Sequence, residues 1–247
     1  MIPHPHLQSV NIKGYRPFKD LVAPLQPLEI IVGANGSGKS SLFEFLKFLR
    51  DGMYREFPSE IIEGSIGQEI FHASGSEKFE WNLEIDTGRP VSILYQGELI
   101  GPRTRSQIAW ERVVSSRPFS DRYKDPFVFL NIQGNRGVVQ NPDSGQLEST
   151  EIKQEDIKQD IEKRSDRLLA LSTIANPAMN ILCELNQYMR SWRFYSSFNI
   201  ANHKIRKSVP IEQEPVLHED AGNLSSVLHY LMTEHRSAFD ELQQHLR

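Results

Sequence analysis

The sequence has little cysteine and no long apolar run. Cys183 is the single cysteine among 247 residues, which excludes an internal disulfide and any cysteine-rich zinc or iron–sulfur module built within one chain. No segment approaches the roughly 18 apolar residues that suggest a membrane span. The first residues also lack the basic and apolar regions of a secretory signal. We therefore expect a cytoplasmic protein without a membrane partner.

The charge balance excludes a general attraction to nucleic acid. The chain has 28 Lys and Arg against 32 Asp and Glu, a formal net charge of −4, although a local basic face is compatible with that balance. With 38% hydrophobic and 24% charged residues, the composition is typical of a globular protein. The length suits one large domain or two small ones, at about 100–200 residues per domain.

Apolar spacing near the start of the chain predicts two strands and a helix. Residues 7–12 alternate apolar and polar, and residues 28–32 form a short, mostly apolar strand that ends at a glycine. Residues 40–53 change to helical spacing without a proline. The predicted apolar face of this helix consists of Leu42, Phe43, Phe45, Leu46 and Leu49.

The rest of the chain divides into a strand-rich part and a helical part. Between about residues 60 and 140, short apolar runs separated by glycine-containing turns predict an antiparallel meander. Residues 141–247 favour helices apart from a linker near 199–217, and the last helical region is expected to break near Glu234–Ser237. We therefore expect a β-rich lobe over residues 1–140 and a helical region after it.

A phosphate-binding motif lies between the predicted strand 28–32 and the predicted helix. Residues 33–40 read Gly-Ala-Asn-Gly-Ser-Gly-Lys-Ser and match G-x-x-x-x-G-K-[ST] at every defined position. The glycines let successive N–H groups approach phosphate oxygens at the positive end of the helix. Lys39 would neutralise β- and γ-phosphate charge, and the Ser40 hydroxyl would ligate Mg²⁺. The competing interpretation is a glycine-rich turn followed by an incidental Lys-Ser pair.

The motif predicts ATP and Mg²⁺ as cofactors. Lys39 is the expected catalytic residue and Ser40 the expected metal ligand. The expected nucleotide-binding residues are Gly33, Ala34, Asn35, Gly36, Ser37, Gly38, Lys39, Ser40 and Ser41.

Three stretches together resemble a known family. They are the P-loop, the aromatic and basic segment Asn11–Asp20, and Leu217–Leu228, where Ala221 departs from the family pattern. In this order they resemble the N-terminal portion of an ABC-type ATPase head of the RecF/SMC-like group of bacterial predicted ATPases. The resemblance implies an α/β P-loop NTPase fold, in which a mixed or antiparallel β-rich lobe is followed by a helical region within one head.

The resemblance also implies contacts outside the P-loop. Arg16 lies where such heads approach the nucleotide. A glutamine after the first β-rich segment connects Mg²⁺ and the γ-phosphate to the helical lobe, and Gln68 and Gln133 are the candidates by position. Gln68 is the expected nucleotide and Mg²⁺ contact, although an ordinary surface glutamine is the alternative at both positions.

Two further stretches have both a functional and a structural interpretation. Between Gly101 and Gln140, seven basic residues with interspersed aromatics could contact DNA, as could the shorter cluster His203–Lys207, but a solvated surface beside core aromatics is the alternative. Asp220 or Asn223 is expected to cap a packing helix.

Some parts of a complete ATPase are missing from the sequence. It has no apolar strand ending in Asp-Glu to hold Mg²⁺ and polarise water, no serine-glycine signature and no switch histidine. Because the missing strand would lie beside Leu28–Val32, its absence would leave that segment without a neighbour. We hypothesise that the chain is incomplete at its C-terminus or is completed by another chain.

The resulting functional expectation is an ATPase in the complete protein or assembly. The resemblance implies two heads that associate around ATP and drive DNA repair, chromosome maintenance or phage defence, with DNA or a nuclease or effector subunit as further partners. One alternative is a nucleotide-binding regulatory subunit without hydrolysis of its own. Another is a P-loop kinase acting on a small molecule.

Overall fold

A computed structural model describes most of the chain. The described residues are 5–57, 70–72, 77–101, 106–121, 124–134, 136–140, 165–174, 179–195, 209–210 and 213–245. The chain separates into two compact units, Met1–Trp192 and Arg193–Arg247. Gln68 and the cluster His203–Lys207 lie outside the described residues, as do residues 141–164 at the start of the predicted helical region.

The first unit contains a seven-stranded antiparallel sheet in the order β2-β1-β3-β4-β5-β6-β7. Its strands are β1 (His6–Tyr15), β2 (Phe18–Pro24), β3 (Lys78–Asp86), β4 (Ile93–Ile100), β5 (Gln107–Ser115), β6 (Val128–Gln133) and β7 (Arg136–Val139). Strands β3 and β4 alternate buried and half-buried residues, so one face of the sheet covers the core. The predicted strand over residues 7–12 and the antiparallel meander are confirmed, whereas β2 and β7 were not predicted.

Helix α1 (Lys39–Gly52) packs on the inner face of the sheet and confirms the predicted helix to within one residue at each end. It buries Leu42, Phe45, Phe48 and Leu49. The inclusion of Phe43 in the apolar face is wrong, because its side chain is half exposed. Positions three and four apart share a helix face, and Phe43 is rotated about 100° from Leu42.

Aromatic side chains form the centre of the core between α1 and the sheet. The rings of Tyr15, Phe45 and Phe79 meet edge to face, with centroids 5.3 to 6.3 Å apart. Trp81 on β3 lies directly across from Gly97 on β4. A β-carbon at Gly97 would lie 2.2 Å from the Trp81 ring, so the indole occupies the space that a side chain would need.

The remaining helices of the first unit are α2 (Ala170–Thr173) and α3 (Asn180–Ser191). Helix α3 confirms the helix that the apolar spacing between Pro177 and Trp192 predicts. It is attached to the end of α1 by reciprocal contacts. The Arg190 guanidinium donates to the Met53 carbonyl at 2.5 Å, and the Tyr54 hydroxyl donates to the Arg190 carbonyl at 2.8 Å.

A buried carboxylate joins the sheet to α2. Glu111 on β5 is fully buried and accepts hydrogen bonds from the Tyr95 hydroxyl at 3.0 Å and from the backbone N–H groups of Ala170 at 2.5 Å and Leu171 at 2.9 Å. These donors satisfy both carboxylate oxygens, which a buried charge requires. Glu111 therefore fixes the short helix against the sheet.

On the outer face of the sheet, Lys78 connects two carboxylates. Its ammonium donates to Glu80 at 2.7 Å and to Glu98 at 2.9 Å. The hydrogen bond that Lys78 donates to Glu80 holds the pKa of Glu80 below its ordinary value, and the hydrogen bonds to Glu80 and then to Glu98 raise the pKa of Lys78. The network contributes stability once Glu80 is ionised.

Replacing Lys78 with glutamine should reduce stability at neutral pH by at most about 1 kcal/mol, because the network is exposed to solvent. The folded-state pKa of Glu80 is lowered, so its contribution is present above the unfolded pKa and is lost as the pH falls through the folded pKa. Urea unfolding of the wild-type protein and of Lys78→Gln should give different free energies of unfolding at pH 7 and equal ones in acid. An equal difference at both pH values would contradict this assignment.

The second unit contains α4 (Leu224–Glu234) and α5 (Arg236–His245), separated at His235, which confirms the predicted break. Asn223 precedes α4 but makes no side-chain capping bond. Its buried amide instead accepts from the His218 N–H at 2.8 Å and donates to the Val216 carbonyl at 2.9 Å. Asp220 accepts from the Gly222 N–H at 2.9 Å, within the turn. The capping prediction is therefore wrong, because both side chains bind the preceding loop.

The predicted strand over Leu28–Val32 is also wrong. The segment has no regular structure, and no strand in the described part of the chain pairs with it. Leu28, Ile30 and Val32 are 84%, 78% and 84% exposed. An apolar run becomes a strand only when neighbouring strands accept its hydrogen bonds and cover its side chains.

No helix among the residues that the structure describes combines the length and hydrophobicity needed to cross a membrane.

Candidate nucleotide-binding site

The P-loop connects the exposed segment Leu28–Val32 to α1. Gly36 and Gly38 have φ values of 81° and 95°, in the left-handed region that side chains disfavour. Gly38 is the residue immediately before the helix, and its carbonyl accepts from the Leu42 N–H at 3.0 Å. The loop therefore leads directly into a helix N-terminus, where free N–H groups favour an anion.

The Lys39 ammonium folds back over this loop. Its Nζ donates to the carbonyls of Gly33 at 2.6 Å and Ala34 at 2.7 Å, and it lies 3.4 Å from the Ser37 hydroxyl. The Ser37 N–H donates to the Ala34 carbonyl at 3.2 Å, which closes the turn. Backbone carbonyl oxygens therefore hold the Lys39 ammonium against the first residues of the loop.

The serine hydroxyls lie on the first turn of the same helix. Ser40 is the second residue of α1 and is exposed, and Ser41 follows it half buried. No acidic side chain lies in this first turn, so the positive end of the helix is not neutralised locally. A hydroxyl, an ammonium and free N–H groups at one helix end fit the phosphates and Mg²⁺ of a nucleotide.

The turn between β1 and β2 packs against the loop. A β-carbon at Gly38 would lie 2.6 Å from the Phe18 ring and 3.3 Å from Pro17. A β-carbon at Gly33 would lie 2.9 Å from the Ser37 hydroxyl. Glycine is therefore needed at Gly38 for both its backbone angle and the approach of the β1–β2 turn, whereas a β-carbon at Gly33 would require the Ser37 hydroxyl to move.

Arg16 lies in this turn with a left-handed backbone, φ 47°. Its guanidinium forms an ion pair with Glu44 on α1 and lies 5.5 Å from the centre of the Tyr15 ring. Burial raises the pKa of Tyr15 to about 12, against a smaller lowering by the Arg16 charge. The structure thus places Arg16 beside the helix that begins at the P-loop.

The two candidate glutamines differ in what the structure shows. Gln68 lies outside the described residues, although Ile70, two positions later, accepts a hydrogen bond from the Arg16 N–H at 2.9 Å. Gln133 is exposed at the end of β6, four strands from β1 in the sheet. At roughly 4.8 Å per strand, it is about 19 Å from β1 across the sheet. The structure does not bring Gln133 to the P-loop.

The basic stretch between Gly101 and Gln140 is divided among several environments. Phe119 packs against Phe127 and Phe129, with ring centroids 6.3 and 5.5 Å apart, as the core alternative predicts. Arg117 donates to the Pro90 carbonyl at 2.6 Å. These contacts are structural, and they give the stretch no stacking surface at Phe119.

The sequence did not predict a role for Glu44, or for Ile70, whose carbonyl accepts from the Arg16 N–H in the β1–β2 turn. Glu44 follows Ser40 by four positions, so it lies on the same helix face as the serine. That spacing was a usable signal, but the partner of Glu44 is a tertiary contact that helix periodicity does not reveal.

Together the loop conformation, the helix N-terminus and the placement of Lys39 define a P-loop nucleotide-binding protein. The family model described as AAA ATPase domain matches residues 6–246. The chain therefore belongs to this family of RecF/SMC-like AAA ATPases, whose members are ATP-binding P-loop ATPases. A search of curated proteins found no match.

Proposed function

We propose that this chain binds MgATP at Gly33–Ser41 as the nucleotide-binding part of an ABC-type head. In this proposal two heads associate around ATP, and their association drives a partner that acts on DNA in the cytoplasm, in repair or in phage defence. The geometry of the P-loop carries the proposal, because its left-handed glycines and folded-back lysine lie at the start of α1.

Each group at the site would have a separate task. The loop N–H groups would bind phosphate oxygens, Lys39 would offset the β- and γ-phosphate charge, and Ser40 would ligate Mg²⁺. Mg²⁺ held there would neutralise phosphate charge. Arg16 would add a second positive charge from the β1–β2 turn, and Gln68 would be a further contact to Mg²⁺.

The exposed segment Leu28–Val32 favours a second candidate function. A hydrolytic head needs an apolar strand beside the P-loop that ends in an acidic Mg²⁺ ligand, and no described strand pairs with Leu28–Val32. Under this candidate the chain binds nucleotide as a regulatory subunit, and another polypeptide supplies the acidic strand. ATP hydrolysis by the isolated chain would exclude this candidate.

Calorimetric titration with ATP, with and without Mg²⁺, tests the proposal. The wild-type protein should bind ATP more tightly when Mg²⁺ is present. Ser40→Ala removes the hydroxyl ligand, so its affinity should fall by about tenfold with Mg²⁺ and change little without it.

Ser225→Ala provides a matched control in the second unit, since Ser225 belongs to α4 and not to the P-loop. It should retain the wild-type dependence on Mg²⁺. Failure of the wild-type protein to bind ATP under either condition would overturn the proposed function.

A further inference from the structure

The environment of Arg16 is unusual for an arginine near a protein surface. Its side chain is only 8% exposed, and a single terminal nitrogen bonds to Glu44, whose side chain is 51% exposed. The Nε of Arg16 is buried without a hydrogen-bond partner. A guanidinium has five donors, so Arg16 retains hydrogen-bonding capacity after its contact with Glu44.

Helix geometry places this pair close to the serines of the P-loop. Glu44 follows Ser40 by four positions and Ser41 by three, so all three lie on one face with β-carbons about 5–6 Å apart. Side chains on a helix also tilt towards its N-terminus. The carboxylate that holds Arg16 is therefore next to the turn that would bind phosphate and Mg²⁺.

The backbone of Arg16 is fixed on both sides. Its N–H donates to the Ile70 carbonyl at 2.9 Å, and its carbonyl lies 2.7 Å from the Nδ1 of His72. The His72 N–H also donates to the Gly14 carbonyl at 2.8 Å. With its backbone held this way, the direction of the Arg16 side chain depends on the group that binds its tip, which is Glu44.

We propose that Glu44 is a positioning residue for the nucleotide site, holding one edge of the Arg16 guanidinium so that its other donors serve the triphosphate. The inference rests on the proposed function at Gly33–Ser41. Because Glu44 and Lys39 belong to one rigid helix, the ion pair fixes the spacing between the two positive groups that would contact the triphosphate.

The test measures MgATP binding by calorimetry in single and double variants. Arg16→Ala should raise the dissociation constant about tenfold or more, and Glu44→Gln about threefold to tenfold, since charge-assisted hydrogen bonds are lost or misdirected. Adding Glu44→Gln to Arg16→Ala should cause no further loss. Glu44→Asp keeps the charge on a shorter side chain and should give an intermediate affinity.

A charge exchange separates positioning from a merely structural role. The variant Arg16→Glu with Glu44→Arg can rebuild the ion pair, so its melting temperature should return towards the wild-type value while its MgATP affinity stays low. Recovery of both properties would show that the pair only supports the fold and would overturn the inference. Unchanged or tighter MgATP binding by Glu44→Gln would also overturn it.

Asp20→Asn is the control for net charge. Asp20 pairs with Lys13 at 3.6 Å in an exposed position on β2, so its loss should leave MgATP affinity unchanged. If Asp20→Asn changed MgATP affinity as much as Glu44→Gln does, the effect would come from net charge, and the positioning role of Glu44 would be contradicted. If the wild-type protein binds MgATP and Glu44→Gln has no effect, this inference fails and the proposed function stands.

Discussion

Replacing Lys39 with alanine should weaken MgATP binding by roughly a hundredfold, equivalent to about 3 kcal/mol. The ammonium lies over the loop, held by the carbonyls of Gly33 and Ala34, where it would face the β- and γ-phosphates. Alanine supplies neither the charge nor a donor, so phosphate charge would remain without its counter-ion. Calorimetry with MgATP measures the change directly.

The fold should survive this substitution, because Lys39 is not part of the buried core. Its melting temperature should therefore stay close to that of the wild-type protein. Lys47→Ala is the matched control, since Lys47 is an exposed lysine on the same helix, about 12 Å further along its axis. The phosphate-binding assignment would be wrong if Lys39→Ala bound MgATP as tightly as Lys47→Ala.

Replacing Glu111 with alanine should destabilise the first unit by about 3–5 kcal/mol. The substitution would leave the hydroxyl of Tyr95 and the N–H groups of Ala170 and Leu171 without their buried acceptor, and it would open a cavity. At about 2–4 °C per kcal/mol for a unit of this size, the melting temperature should fall by roughly 10 °C.

Two further variants make the Glu111 prediction specific. Glu111→Gln keeps the side-chain shape and one acceptor oxygen but places an amide N–H group against the N–H and O–H donors. Its loss of stability should therefore be smaller than that of Glu111→Ala. Glu84→Ala removes a half-exposed glutamate from β3, on the outer face of the sheet, and should change stability by less than about 0.5 kcal/mol. Equal unfolding midpoints for Glu111→Ala and Glu84→Ala would refute the prediction.

The elements with strong local patterns were predictable from sequence. The helix α1 and the strand β3 have clear helical and alternating spacing respectively, and the structure confirms both. The P-loop motif identified the loop before α1 in which the structure has its left-handed glycines. These features depend on residues close together in the sequence, where periodicity and turn chemistry are informative.

The elements that depend on distant partners were not predictable. Leu28–Val32 has the composition of a strand, but strand formation requires a neighbour. Phe43 is apolar and falls outside the buried face of α1 by one position. Asn223 has the residue type of a helix cap, yet tertiary contacts with the loop at Val216 and His218 use its amide instead.

The candidate site also combines features that local sequence predicts with features that depend on distant partners. Its loop and hydroxyls could be read from the motif, whereas the ion pair between Arg16 and Glu44 joins residues of separate elements. Helical and strand periodicity relate only residues within one element, so they do not reveal a contact between a turn residue and a residue of a later helix. The same limitation applies to Glu111. Glutamates are mostly exposed, so the sequence predicts a surface position. Its side chain is instead buried because hydrogen-bond donors on another element, α2, bind its carboxylate.

The position of β1 in the sheet has a consequence for the order of folding. Strand β1 pairs with β3, although the P-loop and α1 lie in the connection between them. The strands β3 to β7 pair with their sequence neighbours, so they can assemble through short loops, whereas β1 must close a long one. We expect the meander to form first, and the nucleotide site to assemble last, when β1 docks and the β1–β2 turn packs against the loop.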